Sequence, residues 1–438
     1  MNRLLSTGLL LLAFPAAHAA ESALSAAIAK DYTANLAALA DHFHRHPELS
    51  FKEVQTAKRL AAELRKAGFD VTEGVGKTGV VAIMKNGPGP TVMVRADMDG
   101  LPVEEKSGLP NASRARTKDD AGREVYVTHA CGHDIHMTSL VGTARQMAAR
   151  KSEWTGTLML IGQPAEERSG GAADMMADKL WQRFGQPDMA LALHVMSDLE
   201  TGKIDLAEAP WSGVDSVAIN VRGIGTHGAS PHTGKDPIVI GAQIVMALQA
   251  VVSRELAPRE PGLITVGAFH AGSKSNIIGD GAKLELTVRS ESAETRAMLL
   301  DAIRRVAANQ ARSAGMAEDM LPEVTMIDNP SPPTINDAAL TSRLRKVWAE
   351  KLGSDLISAD YKRQAMVAED FPGFTSTPYI PSVYFKIGGT PAAQLAAARK
   401  SGKPVAYNHS PLFKVAAEPA IRSGVEVTVV ALLDLLKK

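Results

Sequence analysis

Three apolar runs, each closed by polar residues, constrain this chain more than anything else in it. Pro90–Ala96 ends in Asp97-Met98-Asp99, Gly156–Gly162 leads into Pro164-Ala165-Glu166-Glu167, and Asp188–Val195 carries His194 near its end. Runs this short and this continuously apolar suit strands buried on both faces. Helical spacing at 138–149 and 172–184 separates them. Such alternation builds an α/β sheet, which binds its ligands beyond the carboxyl ends of its strands. The polar residues just named stand at those ends.

Helices are expected over 22–46 and from Glu53 to Lys66, with Gly68 stopping the second, and short strands over 70–73 and 79–84. Residues 106–127 are polar and read as an irregular surface excursion. The grammar changes after Ser212. Strand 214–221, helix 237–254, strands 263–270 and 283–289, helix 291–313 and strand 323–327 follow one another. That βαββαβ order is the ferredoxin-like pattern. Asn329-Pro330-Ser331-Pro332-Pro333 is a return linker, and helices are expected near 337–351 and 418–436. The expected architecture is an α/β domain with a central mixed sheet and helices on both faces, made of 21–211 and 329–438. A ferredoxin-like α+β unit over 212–328 is inserted in it.

Residues 1–20 stand apart. Arg3, the apolar stretch Leu4–Phe14 and Ala17-His18-Ala19 have the layout of a secretory signal peptide. The expectation is an exported protein, periplasmic or secreted, with no later membrane-spanning run. Lys+Arg and Asp+Glu balance at 48 each, which gives no basic footprint for nucleic acid. Cys131 is the one cysteine, so no disulfide can form within the chain. In an oxidising compartment such a thiol is buried and inert, paired between chains, or chemically occupied.

Metal binding is one form of occupation. Cys131 and His133 are one residue apart, and an extended or tightly turned backbone lets both face one point. Thiolate and imidazole suit zinc and would also accept nickel, cobalt or manganese with carboxylate help. Glu166 and Glu167 follow a strand and a proline, and adjacent side chains point different ways. One can hold metal while the other meets water, the division that metal-assisted hydrolysis requires. His194 shares that sheet edge. His409 lies in Tyr407-Asn408-His409-Ser410-Pro411, and spacing alone does not select it. Gly225-Thr226-His227-Gly228-Ala229-Ser230-Pro231-His232 is a loop whose glycines permit close approach of backbone to ligand.

Arg95–Pro102, His129–Asp134, Gln163–Glu167, His227–His232, Asp236-Pro237 and Glu369-Asp370-Phe371 occur in this order, preceded by His44-Arg45-His46-Pro47-Glu48-Leu49. The ordered set resembles the metallopeptidase family that includes hippurate hydrolase, N-acyl-amino-acid amidohydrolases and plant auxin-conjugate hydrolases. The likeness covers nearly all of the mature chain. It implies a zinc-exopeptidase-like catalytic domain, two divalent metal ions and an inserted domain that dimerises. By motif it assigns the metal to Cys131, His133, Glu167, His194 and His409, with Cys131 bridging. It makes Glu166 the general base and then acid, and Asp99 a carboxylate that orients the site. His227 would reach across a homodimer to an oxyanion, and Asn276, Arg289 and His232 would bind substrate.

Some positions depart from the family pattern. Asp97 stands where other branches have a histidine ligand, Gly279 where proline is common, and Lys414 where aspartate is common. Segments 106–127 and 391–407 are longer than usual. The expected activity is hydrolysis of the amide of an N-acyl amino acid. The rivals are a carboxypeptidase or dipeptidase on the same site, a cysteine hydrolase using Cys131, and a binding protein without catalysis.

Overall fold

The computed structural model describes residues 22–438, so residues 1–20, expected to be a signal peptide, lie outside the described residues. Seven strands form the main sheet. Their order is Asp70–Val75, Gly79–Lys85, Thr157–Gln163, Thr91–Asp97, Met189–Glu200, Ser382–Thr390 and Ile204–Asp205. Thr157–Gln163, Thr91–Asp97, Met189–Glu200 and Ser382–Thr390 run parallel; Gly79–Lys85 and Ile204–Asp205 run against them, and Asp70–Val75 runs against Gly79–Lys85. Alternate residues of each central strand serve opposite layers. Val92, Val94, Leu158, Leu160, Leu191 and Leu193 enter one core. Met93, Met159, Ile161, Ala190 and Ala192 enter the other. Helices His133–Ala149 and Ala417–Leu435 pack on the first face, and Gly171–Ala177 and Pro372–Thr375 on the second. Two covered faces are why these strands read as continuous apolar runs.

Several elements differ from expectation. The helix expected from Thr138 begins at His133. The helix expected over 172–184 breaks at Lys179, whose φ is 59°. The Met189 strand continues to Glu200, so His194 lies within it and not near its end. It outruns Thr91–Asp97 because Ser382–Thr390 pairs along its far half. Residues 106–127 contain a hairpin, Arg116–Lys118 against Glu124–Tyr126. Segment 391–407 contains a helix, Ala392–Ser401.

Between Gly213 and Met326 a four-stranded antiparallel sheet has the order Gly262–Ala271, Gly281–Ser290, Gly213–Arg222, Glu323–Met326. Helices Pro237–Ala250 and Ala293–Ser313 share one apolar core with it. Asp236 caps the first helix through Ile238 N, with Pro237 next, and Ser292 caps the second through Thr295 N. Isolated bridges Trp211–Thr334 and Val214–Ser331 hold the entering and leaving strands together. No membrane-length run is expected after residues 1–20. Among the described residues one helix, Pro237–Glu255, does reach it, with 19 residues and mean hydropathy 1.5. Its Ile240, Ile244, Leu248 and Val251 are buried on the four-stranded sheet, so one face of it is core.

Candidate metal centre

Cys131-Gly132-His133 is the turn into the long helix. Gly132 has φ 89°, and a Cβ there would stand 2.3 Å from Val195 Cγ1. Glycine is therefore required between the two donors. Cys131 is buried, with Sγ 3.3 Å from His194 Nε2. His194 Nδ1 lies 2.8 Å from Val195 O. That contact places the ring hydrogen on Nδ1 and leaves the Nε2 lone pair facing the thiol.

Glu166 and Glu167 sit on a single 3-10 turn, flanked by Ala165 and Ser169 at φ 49° and 48°. Left-handed backbone at two residues with side chains is strained, and strain of this kind persists only where surroundings enforce it. The enforcement is visible. Ala165 N donates to Glu53 Oε1 at 2.8 Å, and Thr78 Oγ1 holds Glu53 Oε2 at 2.6 Å. Asp99 accepts from Glu166 N at 3.2 Å, Glu167 N at 3.1 Å and Ser50 Oγ at 2.6 Å. Its Oδ1 also stands 3.3 Å from His133 Nδ1. One carboxylate thus sets both the glutamate turn and the first helical histidine.

His409 arrives on its own loop at φ 71°, with its N–H on Ala130 O at 2.8 Å and Nε2 3.3 Å from Glu167 Oε2. Donor atoms of Cys131, His133 and His194 lie within 4.8 Å of one another, and so do those of Cys131, Glu167 and His409. Two triads sharing one thiol would seat two ions, with Cys131 common to both. His133 Nε2 and Glu167 Oε1 are buried with no hydrogen-bond partner. Most buried polar atoms in folded proteins are satisfied, and these two, which face the Cys131 cluster, fit coordination to a cation. Thiolate, imidazole and carboxylate are the donor set that borderline divalent metals take.

The position of Asp97 is now clear. Its Oδ2 accepts from Arg95 Nη1 at 2.6 Å, and His136 Nδ1 lies 2.6 Å from its Oδ1. His136 Nε2 accepts from Val195 N at 2.9 Å. Both carboxylate oxygens and both ring nitrogens are engaged, and the chain of contacts ends on the strand that carries His194.

Burial, then the charges of Glu369, Glu167 and Asp370, push the Glu166 carboxyl well up, against the pull of Arg95. Burial and the charges of Glu167 and Glu166 likewise push the Cys131 thiol up. A thiol so held is a poor free nucleophile.

Three supports carried no role in the sequence reading. Asn408 Nδ2 donates to Cys131 O at 3.2 Å and Val195 O at 3.3 Å, fastening the His409 loop. Its only signal is its place beside His409. Fully buried Arg95 joins Gln163, Glu369 and Asp97; its signal is a charge inside an apolar run. His44 lies 2.8 Å from Asp134 and 3.2 Å from Glu105. Burial opposes its charge, yet the two carboxylates raise it to about 10.

His227 pairs with Ile277 on a small two-stranded ladder, and just beyond it Gly228 N donates to Asn276 O at 2.8 Å. His227 and His232 are exposed, and Arg289 is half-buried. Among the described residues no hydrogen bond or ion pair joins any of the four to the cysteine cluster.

A sheet edge carrying paired metal-ligand triads beside a buried glutamate defines a metal-dependent hydrolase. The chain belongs to peptidase family M20/M25/M40, whose profile matches residues 93–399. Hippurate hydrolase of Campylobacter jejuni is 36% identical over 334 residues, 76% of this chain and 82% of that protein. Thermostable carboxypeptidase 2 of Saccharolobus solfataricus is 35% identical over 350 residues, 79% of this chain and 83% of that one. A Bacillus subtilis structure described as a dinuclear metal binding peptidase superposes with TM-score 0.74 at 28% identity, covering 93% of this chain and 99% of that one.

Proposed function

We propose that the protein hydrolyses the amide bond of N-acyl amino acids. The observation that carries this is the pair of triads sharing Cys131 beside Glu166. When bound, the two divalent ions supply Lewis acidity, lowering the pKa of a water and polarising the substrate carbonyl. Cys131, His133, Glu167, His194 and His409 would hold them, and Asp99 would keep His133 and the glutamate turn in register. Glu166 takes the water's proton and returns it to the leaving nitrogen. The partner subunit's His227 stabilises the oxyanion, and Asn276, Arg289 and His232 receive the amino-acid end.

The dimer this requires is supported by an unpartnered surface on the inserted unit. Ile238, Val239 and Met246 are exposed on one helix, and the Gly262–Ala271 strand is an edge. Export, to the periplasm or beyond, is proposed on the layout of residues 1–20.

A panel of N-acyl amino acids and dipeptides, run on metal-reconstituted protein, tests the substrate. N-acyl amino acids should be cleaved faster, and a chelator should abolish turnover until divalent metal is restored. Faster cleavage of dipeptides would transfer the site to a peptidase reading. Activity that survives chelation and dies on alkylation would make Cys131 a nucleophile. Mixing His227→Ala and Glu166→Ala subunits should recover activity that neither homodimer has, since each hybrid holds one intact site. No recovery would place His227 outside the neighbouring site.

A further inference from the structure

The stretch between Pro102 and His129 is built, where composition suggested an irregular excursion. Buried Glu105 accepts from Ser113 N at 2.6 Å and Thr128 Oγ1 at 3.2 Å. Ser113 Oγ donates to Val127 O at 2.7 Å, and Val127 N to Ala115 O at 3.0 Å. These bonds close the base of the hairpin. At its tip Asp119 Oδ1 accepts from Ala121 N at 3.0 Å and Arg123 N at 2.9 Å, which fixes the turn. Asp120 then reaches across to Arg168 Nη1 at 2.6 Å and Lys52 Nζ at 3.2 Å. Lys52 Nζ also donates to Lys118 O at 2.7 Å. Arg168 directly follows Glu167, so the hairpin is tethered to the turn that carries both glutamates.

Under this tether lies a cavity of about 680 Å³ whose wall includes Leu49, Leu101, Pro102, Val125 and Glu167. We propose that this cavity is the subsite for an apolar acyl group, with the 116–126 hairpin as its outer wall and Asp120 as the latch that closes it. The proposal rests on the amidohydrolase reading and deepens it. The cavity is large enough for a small organic group, and Glu167 makes it continuous with the metal cluster. Its charges decide which end of the substrate enters. Lys52, Arg123 and Arg168 are each paired with Asp119 or Asp120. A free carboxylate finds no unpaired cation there. Arg289 in the inserted unit is half-buried and, among the described residues, in no ion pair, and suits that end better. The acyl end is left for the cavity, whose leucines, proline and valine match it.

The latch is also weak enough to open. Asp120 and Arg168 side chains are 61% and 52% exposed, and exposed ion pairs contribute little to stability. The hairpin strands are themselves exposed or half-exposed, so opening sacrifices little buried apolar contact.

The test compares the N-acetyl and N-octanoyl derivatives of one amino acid on the metal-loaded protein, by turnover and by calorimetric binding. Val125→Trp fills the cavity and should raise KM and Kd for the octanoyl compound about tenfold or more, with the acetyl compound within about twofold. Asp120→Ala should weaken the octanoyl compound severalfold and the acetyl compound less. Equal effects on both chain lengths, or no effect of either variant, would overturn the subsite. A wild type that cleaves neither compound but binds the octanoyl one in a Val125-dependent way would keep the subsite and remove the amidohydrolase reading. Binding of neither compound would overturn the subsite as well.

Discussion

Glu166→Gln should leave the protein folded and able to hold two metal ions while turnover falls by about 10²–10⁴-fold. The substitution is close to isosteric, and the backbone bonds that place the turn are untouched, since Asp99 accepts from the N–H groups of Glu166 and Glu167. Only the ability to take and return a proton is lost. The residue is suited to that exchange because its surroundings oppose its charge. Burial and three neighbouring carboxylates favour the neutral acid, while cations held by the adjacent donors would favour the anion. A carboxyl balanced between those influences can serve as base and then as acid in one cycle. Metal content by atomic absorption and kcat on the best substrate separate the outcomes. A variant with full metal and more than about a tenth of wild-type kcat would remove Glu166 as the base.

The sheet was legible because both of its faces are covered. Val92 to Val94 and Leu158 to Ile161 carry no alternation, and the cores they enter, one on each side, explain why. The six elements of the inserted unit were legible for the opposite reason: caps such as Asp236 and Ser292 and a βαββαβ order are local signals. The start of the long helix was not legible. His133, Asp134 and His136 occupy its first turn, and each is spent on the site or on a buried pair, so apolar spacing resumes only later. Glu166, Glu167 and Cys131 could be singled out by chemistry and place in the chain. His409 could not, because a left-handed loop residue tied to Ala130 O leaves no periodic trace. The hairpin at 116–126 escaped for a related reason: it is held by ion pairs and turn bonds, and hydrophobic patterning does not report those.

Arg95→Met should cost about 3–5 kcal/mol of stability, because it leaves several buried carboxylates without their counter-charge. Arg95 Nη1 and Nη2 reach Asp97 at 2.6 Å, Glu369 at 2.6 Å and Asp370 at 3.4 Å, and Arg95 is 1% exposed. Its Nε holds Gln163 Oε1 at 2.8 Å, and Gln163 Nε2 in turn holds Asp370 at 2.6 Å. Methionine fills similar volume and replaces none of this. The loss should depend on pH with a definite sign. Asp370 is raised to about 8 by burial and by Glu369, against the pull of Arg95. A carboxyl whose folded pKa is raised stabilises fully below its unfolded value and loses that contribution as pH rises through its folded value. Without Arg95 the folded value climbs further. The deficit of the variant should therefore be largest near pH 8 and above, and should shrink as pH falls toward 4. Adding Glu369→Gln should recover part of it by removing one stranded charge. Unfolding in urea across that pH range measures all three. Wild-type stability at pH 8, or a deficit that grows on acidification, would show that the arginine is not what holds these acids together. The same charge bears on the reaction, because donor atoms of Glu166, Glu369 and Asp370 lie within 4.8 Å of one another. If Arg95 lets three acids share that space, its loss drives Glu166 further toward its neutral form. The acid limb of kcat/KM would then move to higher pH in any variant that still folds.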